Sequence, residues 1–233
     1  MLSSLRKLPF LARLHDRARL WRSRWRARRQ LGEIPGSAAR GSDQDYRRYL
    51  VAQIAKSQLQ SRPAGDALPR TRRLVGLLAG HLPAGAKGPA TRVLCIGCRD
   101  GRELDEIERQ TDCSATGVDL FSIDPRIVVG DFHQLPFPDG AFDALYSCHS
   151  LEHAYDLGRA LAEFGRVLRP GCLWAIEVPV GFELCETDRQ DLGSVAALIA
   201  GLPELEEVLW QEDALRADGR RRDARLVARK AGP

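Results

Sequence analysis

The sequence predicts an α/β fold: a doubly wound, mostly parallel sheet of seven strands with an antiparallel hairpin at one edge, preceded by N-terminal helices. From Val93 onward, short β-rich runs alternate with segments of helical periodicity, which is typical of crossover units and a parallel sheet. Near the C-terminus, Glu206 to Gln211 and Arg225 to Ala228 have β character and flank the polar turn Ala217-Asp218-Gly219. These two runs predict the edge hairpin.

The length and charge of the chain indicate one domain with a basic extension. Of its 233 residues, 44% are hydrophobic and 28% are charged, and no apolar run approaches the roughly 20 residues of a membrane-spanning helix. The net charge is +4, although residues 1–30 carry +9 and the remainder −5. We therefore expect an amphipathic extension and linker in residues 1–41 and a domain in residues 42–233. Within the domain, residues 42–90 form leading helices and residues 91–233 the sheet core.

The basic head predicts one amphipathic helix from Pro9 to about Leu31, ended by Gly32 and Pro35. An arginine-rich helix with two tryptophans suits an anionic membrane surface, which predicts a peripheral membrane contact through residues 9–31. The alternatives are nucleic-acid phosphates, an organelle transit segment, or docking on the body or a partner. No RNA-binding motif or recognition helix supports a specific nucleic-acid partner. The recurring side chains are Leu11, Leu14, Ala18, Trp21 and Trp25, flanked by Arg13, Arg17, Arg24 and Arg28.

Two further helices are predicted ahead of the sheet. Residues 42–45, Ser-Asp-Gln-Asp, resemble a capping box that opens a helix running to about Gln60. Pro63 and Pro69 break the chain, and a second helix spans Arg72 to His81. Because both helices precede the sheet, they are candidates to cover a site on it.

The core alternates between strands and helices. Ligands of such sheets bind beyond the carboxyl ends of the strands, near the point where the strand order reverses. The predicted strands are residues 92–96, 115–119, 126–129, 142–147 and 172–178, and the predicted helices lie near residues 100–110 and 156–168.

Six cysteines fall mostly in or beside predicted strands, without the regular framework of a disulfide scaffold, which indicates a reducing compartment. Cys95 and Cys98 spell C-x-x-C, but no second Cys or His pair accompanies them. We therefore predict that they are packing residues, that there is no metal site, and that the protein is cytoplasmic. The others are Cys113, Cys148, Cys172 and Cys185.

Five motifs follow one another in the core, and their order is more specific than any one of them. In this order, residues 91–178 resemble class I S-adenosylmethionine-dependent methyltransferases, of the small-molecule group known as methyltransferase type 11. The resemblance implies a Rossmann-like fold, S-adenosylmethionine as cofactor and a small-molecule acceptor. One form of this hypothesis is that the acceptor is linked to a lipid or a glycan. The motifs are VLCIGCRDG at 93–101, GVD at 117–119, GDFHQLPF at 130–137, FDALYS at 142–147 with SLEH at 150–153, and RVLRPG at 166–171.

The resemblance assigns roles around the methyl donor. Gly97 and Gly101 let the backbone approach the donor's methionine part, where a Cβ would collide. Asp119, at a strand end, accepts the ribose hydroxyls, and its alternative is a helix cap or turn residue. Asp131 meets the adenine amino group while Phe132 frames the base. The remaining residues of the implied donor site are Cys98, Leu120 and Ser147.

The first motif departs from the common form of the family at two positions. Cys95 stands where an acid usually precedes the glycine turn, and Arg99 stands where a middle glycine is usual. The missing acid removes a partner for the donor's ammonium group. In one explanation Arg99 pairs with the donor's carboxylate and is held by Glu103 one helical turn later. In the other, the site has decayed and the fold is a catalytically silent binding module.

Methyl transfer requires few side chains, because the donor is already activated and the protein mainly aligns the acceptor. An oxygen or nitrogen acceptor also needs a base, and His149 and His153 are the candidates. The alternative is that Glu152 and His153 only cap and anchor the helix near Asp156. A nicotinamide dehydrogenase is the third possibility, but it would require a small residue where Arg102 stands. Weaker candidates on the acceptor side are Tyr46, Gln53 and Lys56.

Overall fold

A computed structural model of the chain describes residues 9–30, 32, 44–61, 67–83, 85–216, 219 and 222–232. The strands are β1 (Arg92–Ile96), β2 (Ser114–Asp119), β3 (Ile127–Val129), β4 (Phe142–Cys148), β5 (Leu168–Val180), β6 (Leu205–Leu215) and β7 (Arg222–Lys230). The α-helices are α1 (Pro9–Gln30), α2 (Gln44–Gln60), α3 (Pro69–His81), α4 (Arg102–Thr111), α5 (Leu157–Val167) and α6 (Val195–Gly201), and a 3-10 turn spans Leu151–His153.

The strands form one seven-stranded sheet in the order β3-β2-β1-β4-β5-β7-β6. Strands β1 to β5 pair in parallel, whereas β7 is antiparallel to both β5 and β6. The strand order reverses between β1 and β4, so the carboxyl ends of these strands frame a crevice. The predicted α/β fold class, with its parallel sheet and antiparallel edge hairpin, is confirmed.

Apolar packing covers both faces of the sheet, as a parallel sheet requires. One face packs against α3 and α4, where Leu74 and Ile107 are fully buried. The other face packs against α5 and α6 around Phe164 and Leu198. Four of the six cysteines are buried, and Cys95 and Cys98 lie in the first of these two layers.

The sequence misplaces two features at the C-terminal half of the sheet. β5 was expected to begin at residue 172, yet it begins at Leu168 directly after α5 and pairs with β4 through a register shift. Helix α6 was not predicted at all, although the Ser194 hydroxyl accepts from the Ala197 amide as an N-cap. In the hairpin turn, residues 217 and 218 lie outside the described residues.

The leading helices stack on the crevice rather than standing apart from the sheet. α2 buries Leu50 and Ile54 beside Leu120 at the end of β2. α1 packs on α2 through small residues: Ala27 is buried, and the Ser23 hydroxyl donates to the Ala55 carbonyl at 3.0 Å. The predicted linker at 33–41, with Ser42, Asp43 and Pro63, lies outside the described residues.

No helix in the described part of the chain has the length and apolar character needed to cross a membrane.

Candidate active site

Three adjoining cavities open at the carboxyl ends of the strands, beneath α2. The inner cavity, about 40 Å³, is bounded by Ser57, Asp119 and Phe132. The turn cavity, about 290 Å³, lies against the loop after β1. The outer cavity, about 700 Å³, is lined from His153 to the loop after β5. Three residues line all of them and join them into one system: Gln60, Arg99 and His149.

The glycine turn after β1 adopts left-handed backbone at three positions, with φ of 77° at Gly97, 28° at Arg99 and 82° at Gly101. Gly97 lines the inner and turn cavities, and a Cβ on it would lie 2.2 Å from the Ser150 Oγ. A Cβ on Gly101 would lie 2.0 Å from Asp124 Oδ2, and Gly101 lines neither cavity. Gly101 is therefore required for its φ and its packing, and the expectation that it faces a ligand is not supported.

Arg99 fits the turn by directing its side chain toward α2. Its Nη1 donates to Gln60 Oε1 at 2.5 Å, and its backbone amide donates to Asp119 Oδ2 at 3.3 Å. The expected partner, Glu103, has no ion pair with Arg99 within the described residues. That expectation was wrong because the left-handed backbone carries the side chain across to α2.

Asp119 ends β2 on the wall of the inner cavity, beside Leu120 and Phe132. Its Oδ1 accepts from the Phe121 amide at 3.1 Å and from the Ser57 hydroxyl at 3.4 Å. Burial raises the pKa of its carboxyl, while the Arg99 charge lowers it. Asp119 is thus a turn residue, which was the alternative to a ribose-binding role, and its carboxylate also lines the cavity as a hydrogen-bond acceptor.

Asp131 and Ser147 are not brought to a cavity wall. The Asp131 carboxylate accepts from the Tyr46 hydroxyl and from His133, whose amide lies at 2.9 Å and whose Nδ1 lies at 2.7 Å. Ser147 is fully buried in β4, and its hydroxyl has no hydrogen-bond partner within the described residues. Tyr46 is buried with Asp131, so Tyr49, three positions and about one helical turn past it on α2, lines the inner cavity instead.

Three arginines and two acids line the turn cavity, and two of them, Arg102 and Asp100, pair with each other at 2.9 Å, which leaves Glu103, Arg70 and Arg99. Glu103, in the first turn of α4, accepts from the Thr71 hydroxyl at 3.3 Å. Burial raises the pKa of the Glu103 carboxyl to about 7, and the charges of Arg99 and Arg70 only partly oppose this. The Arg70 Nε is buried without a hydrogen-bond partner in the part of the chain described. These groups give the cavity paired sites for an anion and a cation.

His149 stands in strained backbone, with φ of 56°, at the end of β4. Its Nε2 lies 3.1 Å from Glu177 Oε1 and 3.4 Å from Asp223 Oδ1. Burial lowers its pKa, but the hydrogen bonds to Asp223 and Glu177 outweigh burial and raise it overall. Two carboxylates therefore hold Nε2, while Nδ1 lies 3.8 Å from Glu152 Oε1, so carboxylates on both sides orient the ring as in an oriented base.

His153 lies across the outer cavity, with its Nδ1 2.9 Å from the Thr187 carbonyl and 3.1 Å from Asp188 Oδ1. Lys56 Nζ lies 2.8 Å from Asp188 Oδ1 and completes an ion cluster with it. The alternative that Glu152 and His153 cap the next helix is wrong. Asp156 caps it, since its Oδ1 accepts from the Arg159 amide at 3.0 Å.

Sulfur, imidazole and carboxylate atoms of Cys148, His149 and Glu177 lie within 4.8 Å of one another. The Glu177 carboxylate already pairs with Arg225 at 2.5 Å, and burial raises the pKa of the Cys148 thiol. The negative charge of Glu177 is therefore already balanced by Arg225, and the Cys148 thiol stays protonated. We accordingly do not treat these three residues as a metal-binding site.

Sequence reasoning found one face of α2 only in part: it named Gln53 and Lys56 as candidates, and both line the inner cavity. The side chains of this face recur at helical spacing along the cavity, and this period was the available signal. Arg70 and Thr71 of α3 were missed as well, because only the packing of α3 against α4 shows where they point. The α2 residues that were missed are Tyr49, Ser57 and Gln60.

The core of the chain is similar to known methyltransferases. A family model described as a methyltransferase domain matches residues 94–176. Among curated proteins, the chain is 29% identical over 156 residues to the 27-O-demethylrifamycin SV methyltransferase of Amycolatopsis mediterranei (strain S699), covering 58% of this chain. The chain spans 56% of that relative's length.

Two solved structures resemble the fold at low identity. The 4+2 cyclase SpnF superposes with a TM-score of 0.55 at 20% identity, covering 75% of this chain and 86% of that one. The geranyl diphosphate C-methyltransferase of Streptomyces coelicolor A3(2), solved with S-adenosyl-L-homocysteine, superposes with a TM-score of 0.54 at 16% identity. It covers 68% of this chain and 76% of that one.

Proposed function

We propose, from the match of residues 94–176 to a methyltransferase-domain family model, that the protein is a class I methyltransferase that transfers a methyl group from S-adenosylmethionine to a small-molecule acceptor. The observation that carries this proposal is the continuity of the site. Gly97 and Asp119 share one cavity, and Arg99 joins it to a second cavity that holds Glu103. The donor has a nucleoside at one end, a thioether in the middle and an amino acid at the other end. Asp119, Gly97 and the Glu103 cavity follow one another in the same order.

The residues present fit this cofactor. The Asp119 carboxylate, with Leu120 and Phe132 beside it, suits a ribose and a base. Gly97 supplies bare backbone at the junction of the cavities, and the turn cavity suits a charged amino-acid end. When bound, the sulfonium supplies an activated methyl group, so the protein's work is alignment.

Helix α2 covers the place that we assign to the nucleoside. The Ser57 hydroxyl bonds Asp119, and the inner cavity of about 40 Å³ is smaller than an adenine ring needs. Donor entry therefore exchanges the Ser57 and Gln60 contacts for contacts to the donor and moves α2 outward. Asp131 stays behind the wall with Tyr46, so it acts through the position of α2 rather than on the base.

The outer cavity is the place for the acceptor. It meets the other two at His149, and charged groups of both signs line it, including Lys56, Arg216 and Asp188. A polar small molecule, lipid-linked or glycan-linked, suits this lining. For an oxygen or nitrogen acceptor, His149 is the base, because Glu177 and Asp223 hold its ring in place and stabilise the proton that it gains. His153 orients the acceptor with Lys56.

A turnover experiment separates this function from the silent adaptor. Full-length protein is incubated with methyl-labelled S-adenosylmethionine and a panel of hydroxylated and aminated small molecules, with and without lipid tails. Label in any acceptor supports the enzyme. Donor binding without transfer to any member of the panel supports the adaptor. A shared fold does not determine the activity, and the 4+2 cyclase SpnF has this fold as well.

The exposed face of α1 fits an anionic membrane surface and gives the protein a peripheral location in the cytoplasm. Trp21 and Trp25 are 69% and 46% exposed, respectively, because α1 meets the body through Ser23 and Ala27 instead. Residues 19–30 hold six arginines and no acid. Indole rings at the headgroup level beside guanidinium groups are typical of interfacial helices. In the same proposal, residues 1–41 are an extension that contacts the membrane and residues 42–233 are the methyltransferase domain.

Replacing both tryptophans, Trp21→Ser and Trp25→Ser, is expected to lower binding to phosphatidylserine-containing vesicles at least tenfold in a co-sedimentation assay. The loss follows from the apolar area that two indoles bury in the interface. Leu215→Ser is the matched control, since Leu215 is 62% exposed on β6 and away from α1. Equal sedimentation of the tryptophan variant and wild type would remove the membrane proposal.

A further inference from the structure

The turn after β1 leaves one end of the donor without its usual partner. An acidic side chain at the position of Cys95 would face the donor's ammonium group, and the Cys95 thiol, buried in the sheet, carries no charge to offer. Burial raises its pKa well above the ordinary value, so the thiol stays protonated at neutral pH. The acid, if the site binds the whole donor, must come from elsewhere in the fold.

Glu103 brings a carboxylate back to this place from the neighbouring helix. Its Oε2 lies 4.0 Å from the Cys95 Sγ, so the two side chains end at the same point although they start on α4 and β1. Glu103 lines the turn cavity together with Gly97 and Cys98. In this chain the carboxylate at this place therefore comes from the first turn of α4, and not from the end of β1 where the acid usually stands.

Within the described residues, no Lys, Arg or His nitrogen lies within 4.0 Å of the Glu103 carboxylate, whereas its helix neighbours Glu106 and Glu108 each have an arginine partner. The Thr71 hydroxyl, at 3.3 Å, is its main hydrogen-bond donor. A half-buried carboxylate with no cation at ion-pair distance costs free energy, which the charges of Arg70 and Arg99 only partly offset and which an incoming cation in direct contact would remove. The groups that face it are Arg70 and Thr71 from α3, Cys95 and Cys98 from β1 and its turn, Arg99 and Asp100 from the turn, Arg102 from α4, which pairs with Asp100, and Tyr146 and Cys148 from β4.

We propose that Glu103 binds the α-ammonium group of the donor's methionine end, in place of the acid that Cys95 replaces, while Arg70 and Arg99 bind its carboxylate. This assignment rests on the proposed function. It explains why the turn tolerates an arginine at position 99: the donor's amino acid is zwitterionic, and this chain meets it with a displaced acid and two arginines that line the same cavity. The site is therefore expected to prefer ligands that carry a free amino-acid group over ligands that lack one.

A structural role for Glu103 is the competing explanation. An acid in the first turn of a helix stabilises the helix dipole, and Asp105 occupies the same turn of α4. The two roles differ in ligand dependence. A dipole effect changes stability without regard to which ligand is bound, whereas an ammonium partner affects only ligands that carry the ammonium group.

The test compares two ligands by isothermal titration calorimetry on the full chain. S-adenosylhomocysteine has the amino-acid end, and 5′-methylthioadenosine has the same nucleoside and thioether without it. Glu103→Gln is expected to weaken S-adenosylhomocysteine binding about tenfold to a hundredfold, the usual effect of losing one charge-assisted hydrogen bond. Binding of 5′-methylthioadenosine stays within twofold of wild type. Asp105→Asn, which removes an acid from the same helix turn but outside the cavity, changes neither.

The outcomes separate this assignment from the function beneath it. If wild type binds neither ligand, the proposed function fails and the assignment fails with it. If wild type binds S-adenosylhomocysteine and Glu103→Gln binds it within twofold of wild type, only the Glu103 assignment is overturned. Equal losses for both ligands would also overturn it, because they indicate a general disturbance of the site.

Thermal unfolding of the ligand-free proteins gives a second readout. Since the folded-state pKa of Glu103 is raised to about 7, its ionisation removes stability as pH rises from its ordinary range through 7. Glu103→Gln lacks this loss, so at pH 8 it unfolds at a higher temperature than wild type while binding S-adenosylhomocysteine more weakly. A lower unfolding temperature at pH 8 would favour the helix-dipole role and contradict the proposal.

Discussion

Asp119→Asn is expected to weaken the binding of both S-adenosylhomocysteine and 5′-methylthioadenosine about 100-fold or more. Both ligands carry the ribose, and the substitution removes the charge from an acceptor of two hydroxyl hydrogen bonds, each worth about 1.5–3 kcal/mol when the acceptor is ionised. The measurement is the dissociation constant of each ligand by calorimetry. This pattern differs from that of Glu103→Gln, which affects only the ligand with an amino-acid end.

The Asp119 variant keeps the fold, because asparagine retains an oxygen for the Phe121 amide, which lies 3.1 Å from Oδ1 in the structure. Burial raises the pKa of Asp119, so loss of its charge does not reduce the stability of the ligand-free protein. Asp112→Asn, at the exposed end of α4, is the control for an aspartate substitution away from the cavities. Wild-type affinity in Asp119→Asn would show that the ribose lies elsewhere.

Arg225→Met is expected to destabilise the protein by about 3–5 kcal/mol at pH 7, the usual effect of removing one partner of a buried ion pair. Arg225 is 1% exposed, and its Nε and Nη1 donate to Glu177 at 2.5 Å and to Glu212 at 2.7 Å. Glu177 is fully buried, so the substitution removes its arginine partner and leaves its carboxylate beside His149 and the Cys148 thiol. Chemical denaturation monitored by circular dichroism measures the change.

The pH dependence of this effect has a defined sign. Burial raises the pKa of Glu177, but His149 and Arg225 outweigh it and lower the pKa overall, so the pair stabilises the fold above the ordinary carboxyl range and loses that contribution as pH falls. Without Arg225 the carboxyl titrates at higher pH. The stability deficit of Arg225→Met is therefore expected to be larger at pH 7 than at pH 5, because the unpaired Glu177 carboxyl takes up a proton more readily than the paired one as pH falls.

Two variants control for the loss of an arginine from β7. Arg229→Met removes an arginine of the same strand whose partner Glu207 is 59% exposed, and it is expected to change stability by no more than about 1 kcal/mol. Adding Glu177→Gln to Arg225→Met recovers much of the lost stability, because no buried carboxylate is then left without a cation: Asp223 keeps Arg216, and Glu212 is 44% exposed. A deficit that persists in the double variant, and is the same at pH 5 and pH 7, would contradict the ion-pair account.

The fold was predictable because its signals are local. A buried run that ends in a glycine turn defines β1, and the spacing from Gly97 to Asp119 places β2 beside it. Helix α6 escaped prediction because it is short and follows a long polar segment, so its only local sign is the cap at Ser194. β5 escaped in part because Pro170 and Gly171 suggest a turn, although the strand runs through them.

The site was predictable only where a residue's role follows from its place at a strand end. Asp119 meets that condition, since the end of β2 fixes where it points. Asp131 does not, because Tyr46 comes from a helix 85 residues away to bond its carboxylate. Gly101 was assigned to a ligand when its close neighbour is Asp124. The partner of Arg99 was likewise misjudged, since only the packing of α2 brings Gln60 to it.

The central claim is that this crevice binds the methyl donor, and calorimetric titration of the full-length wild-type chain with S-adenosylhomocysteine tests it most directly. The account predicts saturable binding at one site per chain, together with a rise in the unfolding temperature as ligand is added. Absence of heat and of any thermal shift, on protein shown to be folded by circular dichroism, would contradict the account.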